Sequence, residues 1–522
     1  MRPQRRPAAA KRAARASSLV ASAAVLALLL SGCGSLSAGA DHATSAGENA
    51  SAQQARDFAA LYKQNIKWTS CDEEDGLDDG TAEALDEAGI DVSGITCAFI
   101  KAPFDWEDPS ISETIDLSVV HIPSTGKNPR GTLLGNPGGP GATGVDFMLG
   151  MAMAPGFEDV VADYDLLGFD PRGIGRSTPI DCDGAGSEIP AVQLGECIAK
   201  NPLTHTMGTS QVARDMELLR HLSGDSVLNY IGYSYGTMLG ATYTTLFPER
   251  AGRMVLDSAE DAQWASLIHN FDQQVAISNA TVALATACRT EYKGEVEVCP
   301  FTDEESLIRV LNELDAKPLV ASDGTEINGQ MLQSYLTNAL YESHFERGRT
   351  LDTIALALFG NQKAIDTIGE SFSGDDSGVD LAMNIVTCHS FPIEPDVPGL
   401  LKHIDKVGMP KLLGGPEIND ETLAPFVDLS CYTLPESGLD ITDKFTAKGA
   451  DPILVIGITG DHATPFQYAK VLADELGARL LTLDGQGHAA SYSGRSSCVD
   501  DAVTRYLVAG DLPAKGTVCR DD

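Results

Sequence analysis

The sequence predicts an α/β fold, a mainly parallel sheet covered by helices on both sides, interrupted by a large helical insertion. Three observations carry this. Apolar strands alternate with helical stretches from Gly131 to Asp257, the alternation lapses over residues 259–448, and it resumes at Pro452-Ile-Leu-Val-Ile-Gly-Ile458. A chain that leaves a sheet and returns to it has a cap over the sheet's carboxyl edge, where α/β sites lie.

The two ends read differently from the body. Arg2, Arg5, Arg6, Lys11, Arg12 and Arg15 form a basic start, and an apolar run from Leu19 to Leu30 leads into Leu30-Ser-Gly-Cys33. This is the layout of an export signal over residues 1–32, and the apolar run is short for a membrane anchor. Leu-Ser-Gly-Cys resembles a bacterial lipobox, which implies cleavage before Cys33 and lipid on its thiol. The Ala-, Ser- and Gly-rich stretch 33–55 reads as a flexible tether to the membrane.

The chain carries a net charge of −37, and loss of the six basic residues of the leader leaves 31 basic against 74 acidic residues, or −43. Such a surface repels nucleic acid, so no nucleic-acid partner is expected. Eleven cysteines include Cys33 and ten others. An even set in an exported chain favours disulfides over metal thiolates, and no Cys-x-x-Cys or His-Glu-x-x-His spacing argues for zinc. Pairing of sequence neighbours is expected: Cys71 with Cys97, Cys182 with Cys197, Cys288 with Cys299, Cys388 with Cys431 and Cys498 with Cys519. The acidic run from Cys71 to Gly80 lacks EF-hand spacing and reads as a solvated loop. Neither metal nor cofactor is expected.

In order along the chain, Cys97 to Trp106 and Thr114 to Ile122 look like early strands, the second alternating Ile115, Leu117 and Val119. Gly131 to Asn136 is a strand running into Pro137-Gly-Gly-Pro-Gly141, a loop whose glycines let a backbone N–H approach a developing oxyanion. Tyr164 to Phe169 is the next strand, and a helix spans Ser210 to Leu222. Val227 to Ile231 is a short buried strand, Gly232-Tyr-Ser-Tyr-Gly236 a sharp turn, and Thr237 to Phe247 a helix stopped by Pro248. Trp264–Cys288, Glu305–Leu314, Gln330–Tyr341 and Thr350–Phe359 have helical spacing within the cap. A helix from Pro465 to Leu476, a strand from Arg479 to Leu483 and a helix from Ser496 to Val508 complete the core. The expected organisation is core 56–258, cap 259–448 and core 449–522.

A strand, a tight glycine-flanked turn and a helix lift Ser234 clear of the sheet as a nucleophile. A serine needs a base, and the base an orienting acid. His488 sits in Asp484-Gly-Gln-Gly-His488, after a terminal strand and before the last helix; Asp461 stands just past the strand ending at Ile458. The order Ser234, Asp461, His488 is that of α/β-hydrolases. Asp257, which ends the strand after the turn's helix, is the rival acid.

These residues make a wider resemblance specific. Trp68-x-x-Cys71, Cys97-Ala, Asn136-Pro-Gly-Gly-Pro-Gly141, Asp170-Pro-Arg-Gly-x-Gly-x-Ser177, Gly232-Tyr-Ser-Tyr-Gly236-Thr, Leu256-Asp, Asp461-x-x-Thr-Pro465 and Gly487-His488 span nearly the whole mature chain. Together they resemble the secreted bacterial tripeptidyl aminopeptidases, relatives of proline iminopeptidases. The resemblance implies an α/β-hydrolase fold and an exported serine exopeptidase acting on peptide substrates. It implies Ser234 as nucleophile, His488 as base, Asp461 as its partner, and the N–H groups of Gly139 and Tyr235 as oxyanion donors. Such enzymes carry an Asp two residues after a cap cysteine to meet the substrate's amine, whereas this chain reads Cys388-His-Ser390. Asp257-Ser-Ala-Glu260-Asp261 departs as well, where a glycine and a proline are usual. Glu260 and Asp261 are therefore expected to hold the amine instead. An esterase and a peptide-binding lipoprotein with a dead site are the competing readings. The sequence leaves the oligomeric state open.

Overall fold

A computed structural model describes residues 49–522 except 183–186, 188, 295, 373–376, 394, 427–429, 437, 439 and 441–443. The expected export signal 1–32, the lipid site Cys33 and the tether as far as residue 48 lie outside the described residues. The end of the tether is not as expected. Ala50–Asp57 is a helix, capped by the Asn49 side chain, which accepts from Ala52 N, and it buries Ser51 and Gln54 against the core. Gln54 Nε2 donates to the Tyr62 hydroxyl and to the Arg214 carbonyl, and Ser51 Oγ donates to Glu217. Composition suggested a linker, but these small polar residues satisfy buried partners across more than a hundred positions of sequence.

The strands are β1 (Thr69–Ser70), β2 (Thr96–Pro103), β3 (Thr114–Ile122), β4 (Thr132–Asn136), β5 (Asp165–Phe169), β6 (Leu228–Tyr233), β7 (Ala251–Asp257), the short cap strands β8 (Leu319–Val320) and β9 (Glu326–Ile327), then β10 (Leu454–Gly460), β11 (Arg479–Gln486) and β12 (Val518–Arg520). All but β8 and β9 join one sheet in the order β1-β2-β3-β5-β4-β6-β7-β10-β11-β12. Pairing is antiparallel from β1 to β5 and parallel from β5 through β12. Every residue of β4 and β6 is buried, as a parallel strand covered on both faces requires. Successive side chains feed opposite layers: Leu134, Tyr230, Leu256 and Val455 pack with helices Thr209–Leu222, Tyr235–Leu246 and Phe466–Leu476. Leu133, Ile231, Val255 and Leu454 pack with Gly144–Ala152, Glu158–Asp163 and Ser497–Ala509.

Between β7 and β10 the chain is mainly helical. Leu267–Ala287, Glu304–Ala316, Gly329–Asn338, His344–Leu358, Gln362–Glu370, Ser377–Ser390 and Val397–Val407 are its longer helices. The last three were not expected from the sequence. Gln362–Glu370 and Val397–Val407 are short amphipathic helices, one burying Ile365 and Ile368, the other Leu400 and Ile404. The insertion has its own apolar core around Leu284, Phe301, Leu307, Leu336, Leu351 and Ile354.

Five disulfides join sequence neighbours: Cys71–Cys97, Cys182–Cys197, Cys288–Cys299, Cys388–Cys431 and Cys498–Cys519. The second and third close loops of 15 and 11 residues, and none links the cap to the core. The Asp170-Pro-Arg-Gly motif is explained by packing rather than chemistry. Arg172 is fully buried and donates to both Asp215 oxygens (2.8 and 2.7 Å) and to the carbonyls of Pro103, Phe104 and Thr206. Asp215 also accepts from Trp106 Nε1. Every partner is met, the condition under which such a pair holds a fold; breaking one costs about 3–5 kcal/mol.

Candidate active site

The strand-to-helix turn puts Ser234 in a backbone state that only a built turn sustains, φ 55° and ψ −126°. Its N–H donates to the Asp257 carbonyl (3.0 Å) and its carbonyl accepts from Thr237 Oγ1 (2.7 Å). Both flanking glycines are steric necessities: a Cβ at Gly232 would stand 2.5 Å from the Gly236 carbonyl, and one at Gly236 2.7 Å from that of Asn136. Ser234 itself is half-buried, and its hydroxyl makes no hydrogen bond among the described residues.

The loop after β4 lies directly on this turn. A Cβ at Gly138 would meet the Tyr233 carbonyl at 2.5 Å and Tyr235 N at 3.0 Å, so backbone approaches backbone with nothing between. Gly138 N–H is taken by Asn136 Oδ1. No backbone acceptor meets the N–H of Gly139 or of Tyr235 among the described residues. Two free donors at the start of a helix, beside a serine, suit an oxyanion.

His488 follows β11, and its Nδ1–H donates to Asp461 Oδ1 (2.9 Å) and Oδ2 (3.1 Å). Asp461 is buried but fully met: Ala463 N, Thr464 N and Thr464 Oγ1 donate to it at 3.0, 2.9 and 2.8 Å. Burial alone would raise this carboxyl; His488 and the two Thr464 donors outweigh it and hold it below the usual range. Burial likewise pulls His488 down, but Asp461, then Asp257 and Glu260, leave it above the ordinary histidine value. Its side chain is 10% exposed, so one edge remains open. His488 and Ser234 are not hydrogen-bonded to each other, a gap common before substrate binds.

Asp257, the rival acid, is turned elsewhere. Its carboxylate accepts from Ala490 N (3.2 Å), Ser491 N (2.7 Å) and Ser491 Oγ (2.5 Å), and so fastens the loop that carries His488 to the end of β7. Tyr233 reaches the same loop through its hydroxyl and Ser491.

Cap residues cover this assembly. Tyr341 packs edge-on against His462 and His488, with centroids 4.6 and 5.8 Å away, and stays more than half exposed. His462 is buried without a hydrogen bond, and burial lowers it to about 4. Tyr235, the residue after the serine, packs with Trp264 and Phe391 in an aromatic cluster, centroids 5.5 to 6.2 Å apart. None of these residues except Tyr235 was singled out from the sequence; each reaches the site from the cap or the acid's own loop.

Glu260 and Asp261, the expected amine anchors, are both buried. Glu260 is fully buried and Asp261 nearly so. Glu260 Oε2 lies 2.7 Å from His269 Nε2, and Asp261 accepts from Gln263 N. Both acids face a buried histidine on the first turn of Leu267–Ala287, with Asp261 Oδ1 3.7 Å from His269 Nδ1. Ser390 is buried too; its hydroxyl accepts from Thr209 N (2.9 Å) and Thr209 Oγ1 (2.7 Å), and Thr209 Oγ1 also meets the Tyr235 hydroxyl (2.7 Å). The next amide of that helix, Ser210 N, donates to Asp440 (2.6 Å), so a carboxylate from elsewhere in the chain stands beside Ser390. Among the described residues, the one cluster with metal-ligand spacing is Cys71, Asp75 and Cys97, and its cysteines are joined in a disulfide.

Residues 131–283 match the alpha/beta hydrolase fold family, and residues 419–519 match the family described as TAP-like protein. The serine protease Hip1 of Mycobacterium tuberculosis is 29% identical over 482 residues, 82% of this chain and 87% of that protein. The tripeptidyl aminopeptidase of Streptomyces coelicolor is 29% identical over 474 residues, 81% and 83% of the two chains. Carboxylesterase B of Mycobacterium tuberculosis is 29% identical over 469 residues, covering 81% and 86%. Among solved structures, proline iminopeptidase from Mycobacterium smegmatis aligns with 79% of this chain and all of its own, at 13% identity and a TM-score of 0.35. The chain is a serine hydrolase of the α/β-hydrolase fold. Within that class it is similar to the tripeptidyl aminopeptidases.

Proposed function

We propose that the protein is a serine exopeptidase that releases short peptides, tripeptides foremost, from the free N-terminus of peptide substrates. The observation that carries this is the bonded Asp461–His488 pair, with Asp257 fastening the loop that bears His488 and accepting the Ser234 N–H through its carbonyl. Ser234 Oγ attacks the scissile carbonyl carbon while His488 Nε2 takes its proton, and Asp461 steadies the imidazolium. The tetrahedral oxyanion falls to the N–H groups of Gly139 and Tyr235. The C–N bond breaks as His488 returns the proton to the leaving amine, and a water activated by the same nitrogen then frees the acyl group. Asp440, which accepts from the Ser210 amide next to the Thr209 amide that Ser390 meets, is the acid proposed to meet the substrate's ammonium. Treatment with a peptidyl phosphonate is expected to add its mass to Ser234 alone and to stop cleavage; label on another serine would remove the assignment. An esterase remains the second reading, because a carboxylesterase is as similar to this chain as the peptidases are.

The setting follows from the same residues. Five disulfides belong to an oxidising compartment, and no helix among the described residues is long and apolar enough to cross a membrane. We infer an extracytoplasmic protein held by lipid on Cys33. Cys33→Ser is expected to move it from the detergent phase to the aqueous phase with unchanged activity on a soluble peptide; identical partitioning would remove the anchor.

A further inference from the structure

At Gly208, the residue that leads into the helix Thr209–Leu222, two acceptors come together with no donor between them. One belongs to His389, the last residue but one of Ser377–Ser390, which is 7% exposed. Its Nε2 reaches the His205 carbonyl at 2.8 Å. A carbonyl only accepts, so this nitrogen carries the hydrogen, and in a neutral imidazole that leaves Nδ1 as an acceptor. Nδ1 is buried and has no hydrogen-bond partner among the described residues. The other acceptor is the Asp440 carboxylate. A Cβ on Gly208 would stand 2.6 Å from His389 Nδ1 and 2.6 Å from Asp440 Oδ1, so the two atoms are at most twice that distance apart.

Asp440 accepts from Ser210 N (2.6 Å) and from Ser210 Oγ, and no Lys, Arg or His of the described residues pairs with it. An imidazolium at His389 would turn an N–H onto this carboxylate and bond it; no such bond is made, which is the mark of the neutral ring. A lone pair and a carboxylate set side by side repel, and each is costly to bury unmet. A donor with two hydrogens can meet both, and only a cationic one also offsets the charge. The arrangement is fixed from several sides. Gly438 N donates to the Cys388 carbonyl (2.9 Å) and Cys388 is bonded to Cys431, which ties the segment before Asp440 to the helix end that bears His389. Glu436 is taken by His205 Nδ1 (2.9 Å). Thr209, next to Gly208, meets the Tyr235 hydroxyl through Oγ1 (2.7 Å), and Tyr235 follows Ser234. One tyrosine side chain and one hydrogen bond thus separate the serine turn from this helix start, about the length of three extended residues at about 3.3 Å each.

We propose that His389 is a specificity residue, the second half of an amine site in which its Nδ1 and the Asp440 carboxylate each accept an N–H of the substrate's terminal ammonium. Asp440 supplies the charge and His389 counts hydrogens. A primary ammonium has N–H groups for both acceptors. An N,N-dimethylated terminus keeps the charge but has one N–H for two acceptors, and an acetylated terminus has one N–H and no charge. No bond of the substrate changes here, and the gain is in which peptides are held with their scissile bond at Ser234.

The inference rests on the exopeptidase reading, and its test separates the two. One peptide with a free, an N,N-dimethylated and an acetylated terminus is assayed for kcat/KM on the parent protein, His389→Phe and Asp440→Asn, with thermal unfolding followed alongside. The parent is expected to favour the free amine over both modified forms by tenfold or more, about the discrimination that one unmet buried acceptor enforces. In His389→Phe the preference for the free over the dimethylated terminus should fall about tenfold, while the preference for the dimethylated over the acetylated terminus persists; in Asp440→Asn the latter should fall. A merely structural histidine would slow all three peptides alike and leave their ratios unmoved, which in a folded variant overturns the proposal. A free-amine preference that rises in His389→Phe overturns it too, because it would show an imidazolium repelling the substrate. Should His389→Phe not fold, Gly208→Ala drives a methyl against both acceptors and is expected to lower the free-amine preference; an unchanged preference there counts against the site. Equal rates on all three peptides in the parent would instead remove the exopeptidase reading.

Discussion

Ser234→Ala is expected to reduce turnover by about a millionfold, the loss seen when the serine of a comparable triad is removed. The hydroxyl is the only thing taken away. Its Cβ remains, the strained φ of 55° is as available to alanine as to serine, and Ser234 Oγ holds nothing in place among the described residues. The Ser234 N–H and carbonyl keep their bonds to Asp257 and Thr237, so the melting temperature should stay within about a degree or two, as for substitutions away from packing and hydrogen-bonding features. Phosphonate labelling should disappear with activity. A folded alanine variant that still cleaves peptides would end the mechanism.

The acid is the second large effect. Asp461→Asn is expected to cost about ten-thousandfold in kcat, because an amide beside Nδ1 stabilises the wrong tautomer and no longer offsets the imidazolium. Asp257→Asn should cost far less in rate, since that carboxylate bonds the Ala490 and Ser491 amides and not the His488 ring. Its price falls on stability: two N–H groups and a hydroxyl converge on it, and an amide can accept on one oxygen only. Rate profiles and unfolding midpoints for the two variants check this. If Asp257→Asn were the inactive one, the acid would belong on the other strand.

The parts of the site that were legible in the sequence are those with a local steric cause. The Ser234 turn announces itself because Gly232 and Gly236 have no room for a Cβ, and the loop at Gly138 for the same reason. The Asp461 and His488 loops could be located because each follows an apolar strand, β10 and β11. What escaped the sequence depends on contacts between distant segments. Glu260 and Asp261 could be picked out from their position after β7, but their contacts with His269 on the cap helix could not. Asp440 had no signal at all, since its meaning is a bond to Ser210, 230 residues away. The helix at Ala50–Asp57 hid in a stretch whose composition is that of a linker, because its buried residues are Ser51 and Gln54.

Activity on one good peptide, with its N-terminus free and with it acetylated, tests the exopeptidase reading most directly. Acetylation removes the ammonium that the acyl end of the site must meet, and kcat/KM should fall by about a hundredfold, since a lost charged contact costs about 3 kcal/mol. The same comparison in Asp440→Asn should show the preference for the free amine largely gone. Equal rates on free and acetylated peptide in the parent protein would mean that the cleft does not read the N-terminus, and would contradict the account.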